Sequence, residues 1–236
     1  MCGRYFFTRE AEQAMRRLAG EGQAVREMAA AWEQQPQAEA QKAQADWPAV
    51  WDVHPADLAW VACDPAAEGR SGLAGTGREA AGSRCRSSRM GLEMVAMRWG
   101  FPGREGQVIF NARAETAAEK PLFQDSLALR RCVVPAGGFY EWNSRKEKVR
   151  FTGVGEQPLF LAGFYRRFEE ENRFVILTVP ANASMAPVHD RMPLVLAPEE
   201  AAAWVLDGSR TSQFLRKTPE PLEASQEYEQ LELPFL

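Results

Sequence analysis

A cysteine directly follows the initiator methionine in the opening stretch MCGRY. Once Met1 is removed, which a small second residue permits, Cys2 carries a free α-amine and a thiol on neighbouring carbons. An α-amine with a pKa near ~7.7–8.0 is partly neutral, and so nucleophilic, at neutral pH. It condenses with an aldehyde to an imine, and the thiolate on the next carbon closes onto the imine carbon as a five-membered thiazolidine. Intramolecular closure of this kind is strongly favoured over bimolecular attack. No internal cysteine can do this.

Histidine is scarce, with only His54 and His189 in the chain. His189 stands in PVHDRMPLVL, after the turn-rich PANASMAP and before an apolar strand. An imidazole at a strand entrance can reach a cleft, and its pKa near ~6.5 suits proton transfer. The structural alternative is a ring that bonds Asp190 or a backbone carbonyl to pin the loop, and for one isolated histidine that is the commoner use.

Glu141 lies in AGGFYEWNS, between a glycine pair and a turn. Strand alternation puts it on one face with Phe139 and puts Tyr140 and Trp142 on the other. It is then either a surface charge at a sheet edge or a desolvated general acid with a raised pKa. Asn111 opens NARAET after the short strand VIF; it is either a helix N-cap or an amide that reaches a ligand. Arg4, Arg98, Arg113 and Arg191 add cations that could hold phosphates.

Elements must position these groups. Thr8 can cap a helix with Ala11, Met15 and Leu18 on one face and Gly20 as its stop. LEMVAMRW alternates, and VIF, RCVVP, GFYEW, VRFT, LFLAGFY and RFVILTV follow at strand-like intervals. Short helices are expected around 112–130 and at 198–206, where Pro198 suits a first turn. The result is an α+β fold of mostly antiparallel sheets, barrel-like at its core, with a few peripheral helices. One domain spans 1–236, with surface insertions at 22–49 and 66–89, the second rich in small residues and holding five arginines.

Composition limits the function classes. The net charge of −4 and pI near 5.5 remove any global electrostatic case for nucleic-acid binding, so any DNA contact must come from a local patch. The four cysteines, Cys2, Cys63, Cys85 and Cys132, show no C-x-x-C spacing, which argues against a metal cluster and fits free thiols in a cytoplasmic protein. No cofactor, metal or membrane contact is expected, and neither a secretory signal nor a membrane span is visible.

Taken in order, MCGRY, FNARAET, RRCVVPAGGFYEW and PVHDRMPLVL resemble the SRAP family, the SOS response-associated peptidases or abasic-site processing proteins. The resemblance implies binding to single-stranded DNA at abasic sites, whose opened sugar presents an aldehyde. It implies that Cys2 forms the covalent link and Asn111 orients the ring or sugar. Glu141 would then move protons, and His189 would act on the sugar hydroxyl or in reversal. Arg4, Arg113, Arg98 and Arg191 would hold the DNA backbone, with Phe101 stacking on bases in place of a tryptophan-bearing stretch that many members carry after MRWG. It further implies autocatalytic loss of Met1, lyase-like activity, a nucleoid location when DNA-bound, and the replication machinery as a further partner. The chain departs from the family where WDVHPAD replaces an N-x-A-P motif, which leaves His54 without an assigned role. Two alternatives stand beside this reading: an N-terminal-nucleophile cysteine amidohydrolase or peptidase, and a non-covalent single-strand binding module.

Overall fold

The computed structural model describes residues 3–19, 50–69, 91–169 and 171–226. Cys2, Cys85, Gly20, the whole expected insertion 22–49 and residues 70–89 of the other lie outside them.

The opening strand β1 (Arg4–Thr8) runs straight into helix α1 (Arg9–Ala19). Thr8 makes this turn possible, because its Oγ1 accepts the Ala11 N–H at 3.2 Å. The helix buries Ala11, Met15 and Ala19, with Leu18 of the expected stripe only partly buried beside them.

The remaining elements follow in chain order. Strands β2 (Val50–Val53), β3 (Leu58–Cys63) and β4 (Glu93–Trp99) precede a small ribbon of β5 (Phe101–Pro102) and β6 (Val108–Ile109). Then come β7 (Asn111–Arg113) and two short helices, α2 (Ala114–Ala117) and α3 (Gln124–Leu129). Strands β8 (Arg131–Ala136), β9 (Gly138–Trp142), β10 (Lys148–Thr152), β11 (Leu159–Phe168) and β12 (Glu171–Pro180) form the centre. The C-terminal part adds β13 (Arg191–Pro193), β14 (Val195–Leu196), α4 (Pro198–Leu206), α5 (Thr211–Phe214) and β15 (Glu223–Gln226).

Two sheets share these strands. One runs in the order β15-β10-β9-β1-β2, all antiparallel, with β1 well inside it. In the other, β12 pairs with both β4 and β11, so β12, β4, β3, β8 and β11 close a five-strand barrel. Strands β13, β14 and β7 attach to this barrel from outside. The fold is therefore α+β, mostly antiparallel and barrel-like, with few helices, as the strand spacing predicts. The exceptions are β12 with β4 and β12 with β7, which run parallel.

Aromatic rings fill the interior. Trp99 is fully buried, 5.1 Å from the Tyr5 ring in an edge-on contact, and its indole N–H donates to Phe110 O at 2.9 Å. This contact joins the two sheets, since Tyr5 belongs to one and Trp99 to the other. The link between β8 and β9 explains the glycine pair of the sequence. A Cβ on Gly138 would collide with Phe151 O and the Phe6 ring, and one on Gly137 with Thr8 and Phe6. Only glycine lets the backbone lie this close, so the chain passes from the barrel to the second sheet there.

Arg131 holds the helix ends. Its buried guanidinium donates to Leu127 O, Ala128 O, Trp204 O and Val205 O at 2.6–3.1 Å, the last carbonyls of α3 and α4. A cation there satisfies orphan acceptors and opposes the negative end of each helix dipole.

Candidate functional site

With Cys2 outside the described residues, the site is built from what surrounds the start of β1. Arg4 stands opposite Tyr140, one residue from Glu141, so the β1–β9 ladder sets the beginning of the chain beside the carboxylate-bearing strand. Glu141 is 4% exposed, which excludes the surface-charge reading. It faces inward with the fully buried Phe139 and pairs across the ladder with Val149. Trp142, on the opposite face, is exposed, and the Arg4 guanidinium lies 5.5 Å from its ring centroid. Arg4 also approaches Asp52 at 3.7 Å, with about a third of its side chain open to solvent.

Asn111 is not a helix cap. It starts β7, in parallel register with Ile176 of β12, and the helix begins three residues later with Arg113 at the cap position. Strand alternation then sets Asn111 and Arg113 on one face, Asn111 partly buried and Arg113 exposed. The amide is thereby released from capping duty and sits at the rim of the barrel.

His189 lies in the turn between β12 and β13. The Arg191 N–H donates to its Nδ1 at 2.9 Å, and Asp190 Oδ1 approaches the same nitrogen at 2.9 Å. The ring is thus pinned locally, as the structural alternative held.

Three of the expected DNA contacts are packed or paired within the protein itself. Phe101 is fully buried, packed on Phe168, Phe164 and Phe123 with centroids 5.0–6.1 Å away, and offers no face to a base. Arg191 is 8% exposed, and its guanidinium is bound to the Glu115 carboxylate through two bonds of 2.5 and 2.8 Å and to Thr178 O at 2.6 Å. Arg98 is engaged with Glu171 at 2.9 Å and Ala56 O at 2.7 Å. Burial pushes the Glu171 carboxyl up, but Arg98 and Arg173 beside it outweigh that and bring it below the usual range. His54 belongs to a turn, its N–H donating to Asp57 Oδ2 at 2.9 Å.

The geometry thus sorts the candidates into two groups. Arg4, Glu141 and the exposed Trp142 occupy the five-strand sheet. Asn111, Arg113 and His189 occupy the barrel rim, joined there by Glu115, Thr178 and Arg191. Sequence reading missed Glu115 and Trp142. A signal existed for each: Glu115 closes the run of alternating charge in NARAET, and Trp142 has the outward parity opposite Glu141. Glu115 also borders a cavity of about 570 Å³ shared with Val179, Ala181, Leu215 and Arg216. Among the described residues no three His, Cys, Asp or Glu side chains gather into a metal-holding group, and no helix is long and apolar enough to cross a membrane.

Comparison with known proteins fits this arrangement. The family model for SRAP, SOS response associated peptidase, matches residues 1–232. The chain belongs to the SRAP family. Among curated relatives, the abasic site processing protein YoaM of Bacillus subtilis is 31% identical over 135 residues, 53% of this chain and 60% of its own length. YedK of Escherichia coli, of the same description, is 32% identical over 52% of this chain and 61% of its own. HMCES of Xenopus tropicalis, also an abasic site processing protein, is 30% identical over 55% of this chain and 50% of its own. The matched region thus spans about three fifths or less of these relatives. A crystal structure of a Bordetella bronchiseptica protein superposes with a TM-score of 0.64 at 21% identity, covering 96% of this chain and all of the other. At that identity the superposition supports a shared fold alone.

Proposed function

We propose that this protein processes abasic sites, capturing them in single-stranded DNA as a thiazolidine through Cys2 after Met1 is lost. The α-amine of Cys2 adds to the C1′ aldehyde of the opened sugar and water leaves, giving an imine. The thiol sulfur then bonds to that carbon while its proton passes to the nitrogen. Atoms balance with the loss of one water, and no cofactor or metal enters.

The observation that carries this reading is the register of β1 with β9. It holds the chain two residues beyond Cys2 alongside the strand that bears a buried carboxylate. Imine formation needs protons delivered to a departing hydroxyl and withdrawn from a nitrogen, which is work for a sequestered acid such as Glu141. The family and the descriptions of its curated relatives support the substrate. On the same reading the Met1-removing peptidase step, the lyase-like activity and the place in the SOS response follow from family membership. So do the cytoplasmic and nucleoid location and an encounter with the replication machinery.

Intact-mass spectrometry before and after mixing with an abasic oligonucleotide tests it. The expected result is a protein lacking Met1 that gains the mass of the oligonucleotide less one water. Cys2→Ala gains nothing, and intact DNA gives nothing. A wild-type protein that captures DNA with Met1 still attached, or a Cys2→Ala protein that captures as well as wild type, overturns the proposal.

A further inference from the structure

The cavity of about 570 Å³ beside Glu115 lies between three segments. These are the start of α2 at Ala114 and Glu115, the end of β12 at Val179 and Pro180, and residues 212–218, which run through α5 and beyond it. The volume suits a small organic ligand. Ala114 and Val179, both buried, and the half-buried Leu215 make its apolar part.

The wall is held in place from outside. Asn182 Nδ2 donates to Pro219 O and Glu220 O, each at 3.0 Å, and the Leu222 N–H donates to Ser184 Oγ at 3.0 Å. The C-terminal side of the cavity is thereby strapped to the turn after β12. A site preformed in this way loses little freedom when it fills.

Its charges do not cancel. Glu115 is gripped through both oxygens by Arg191, and Lys217 is paired with Glu200. Arg216 is exposed, and among the described residues no carboxylate answers it. The exposed Ser212 and Thr218 hydroxyls line the same cavity. One uncancelled positive charge beside an apolar surface calls for a monoanion on an apolar body. A phosphodiester-linked nucleoside has that make-up, with one negative charge, two free oxygens for a guanidinium fork, and a sugar and base. A dianionic phosphate monoester asks for more cation than the lining offers. The rim supplies the approach: Arg113, exposed, directly precedes Ala114. The Arg191 hydrogen bond, with the Arg113 charge adding to it, holds the Glu115 carboxyl below the usual range.

We propose that this cavity is a nucleotide subsite, holding one intact nucleotide of the single strand beside the lesion. Its phosphodiester lies on Arg216, with Ser212 and Thr218 as further donors, and its sugar and base lie against Val179 and Leu215. The subsite rests on the abasic-site reading above and adds a path for the strand from Arg113 past Glu115 to Arg216. Among the described residues no aromatic ring lines the cavity, so the contact does not depend on stacking.

Two measurements on the full chain test it. In the first, binding of fluorescent intact single strands is followed by anisotropy against salt. Arg216→Gln weakens binding roughly tenfold, the loss of one charge-assisted contact, and lowers the log–log slope by about 0.7. Ser212→Asp, which cancels the surplus charge, also weakens it. In the second, abasic strands carry one uncharged methylphosphonate, placed in turn at each linkage around the lesion, and the DNA concentration for half-maximal capture is read. One flanking position raises that concentration in wild type and has no further effect in Arg216→Gln. If Arg216→Gln keeps the wild-type slope and affinity, or if every methylphosphonate costs the same in both proteins, the cavity holds no nucleotide, whether or not capture occurs. If the slope falls with Arg216→Gln but wild type captures no abasic DNA, the subsite stands and the abasic-site reading falls.

Discussion

At the residue scale the decisive contrast is between Glu141 and the arginines. All were candidates as charged groups on motif segments, yet Glu141 is buried, while Arg98 and Arg191 stand in ion pairs. Replacing Glu141 by Gln keeps the volume and removes the proton site. Capture of abasic DNA should slow by about 10²-fold, within the range of general acid–base catalysis, with non-covalent affinity for intact single strands nearly unchanged. Equal loss of both in a quench-flow and anisotropy comparison would make it structural. Phe101 gives the converse case. Phe101→Ala should cost about 3–5 kcal/mol of stability as a buried ring lost from the core, while Phe101→Leu leaves DNA affinity where it was. A drop in affinity with stability intact would restore its base-stacking role. Glu115 makes a pH prediction. Its folded pKa lies below the unfolded value of ~4.3, so the contribution is complete above that pH and disappears as pH falls through the lowered folded value. The difference in urea midpoint between wild type and Glu115→Gln should therefore be level at neutral pH and close in acid.

At the element scale, local signals were legible and long-range ones were not. Thr8 capping a helix with buried Ala11 and Met15, and Pro198 opening another, are decided within a few residues of chain, so spacing alone reveals them. The glycine pair before Phe139 marked a special backbone without saying what it approached; the answer, Phe6 and Phe151, lies far away in sequence. Asn111 shows the limit most clearly. Its type and its place before a helix favour a cap, but pairing with β12 draws three residues into a strand and moves the helix start past it. Tertiary pairing overrode local preference. The four widely spaced motifs marked the candidate segments, though not that Glu115 would join two of them. Arg131 belongs to this scale too. Replacing it with Met leaves the final carbonyls of α3 and α4 without their donor in a dry interior, and should destabilise the fold by about 3 kcal/mol in denaturant titration, with both helix ends fraying in hydrogen exchange.

At the scale of the whole molecule, a net charge of −4 means that, on the proposed function, DNA is drawn in by a few cations rather than by a general field. Affinity for single strands should show a shallow salt dependence. Arg4→Gln or Arg113→Gln should each reduce the log–log slope by about 0.7 per phosphate contact removed, whereas Arg98→Gln should leave it alone. A steep slope that neither substitution touches would place the interface elsewhere, the arginine-rich stretch within 66–89 being the obvious alternative. Finally, β1 is an inner strand, bonded on one side to β2 and on the other to β9. On the proposed function the nucleic acid has to reach the start of this firmly stitched ribbon, so a lesion in a pliant single strand should be trapped sooner than the same lesion stacked inside a stiff duplex.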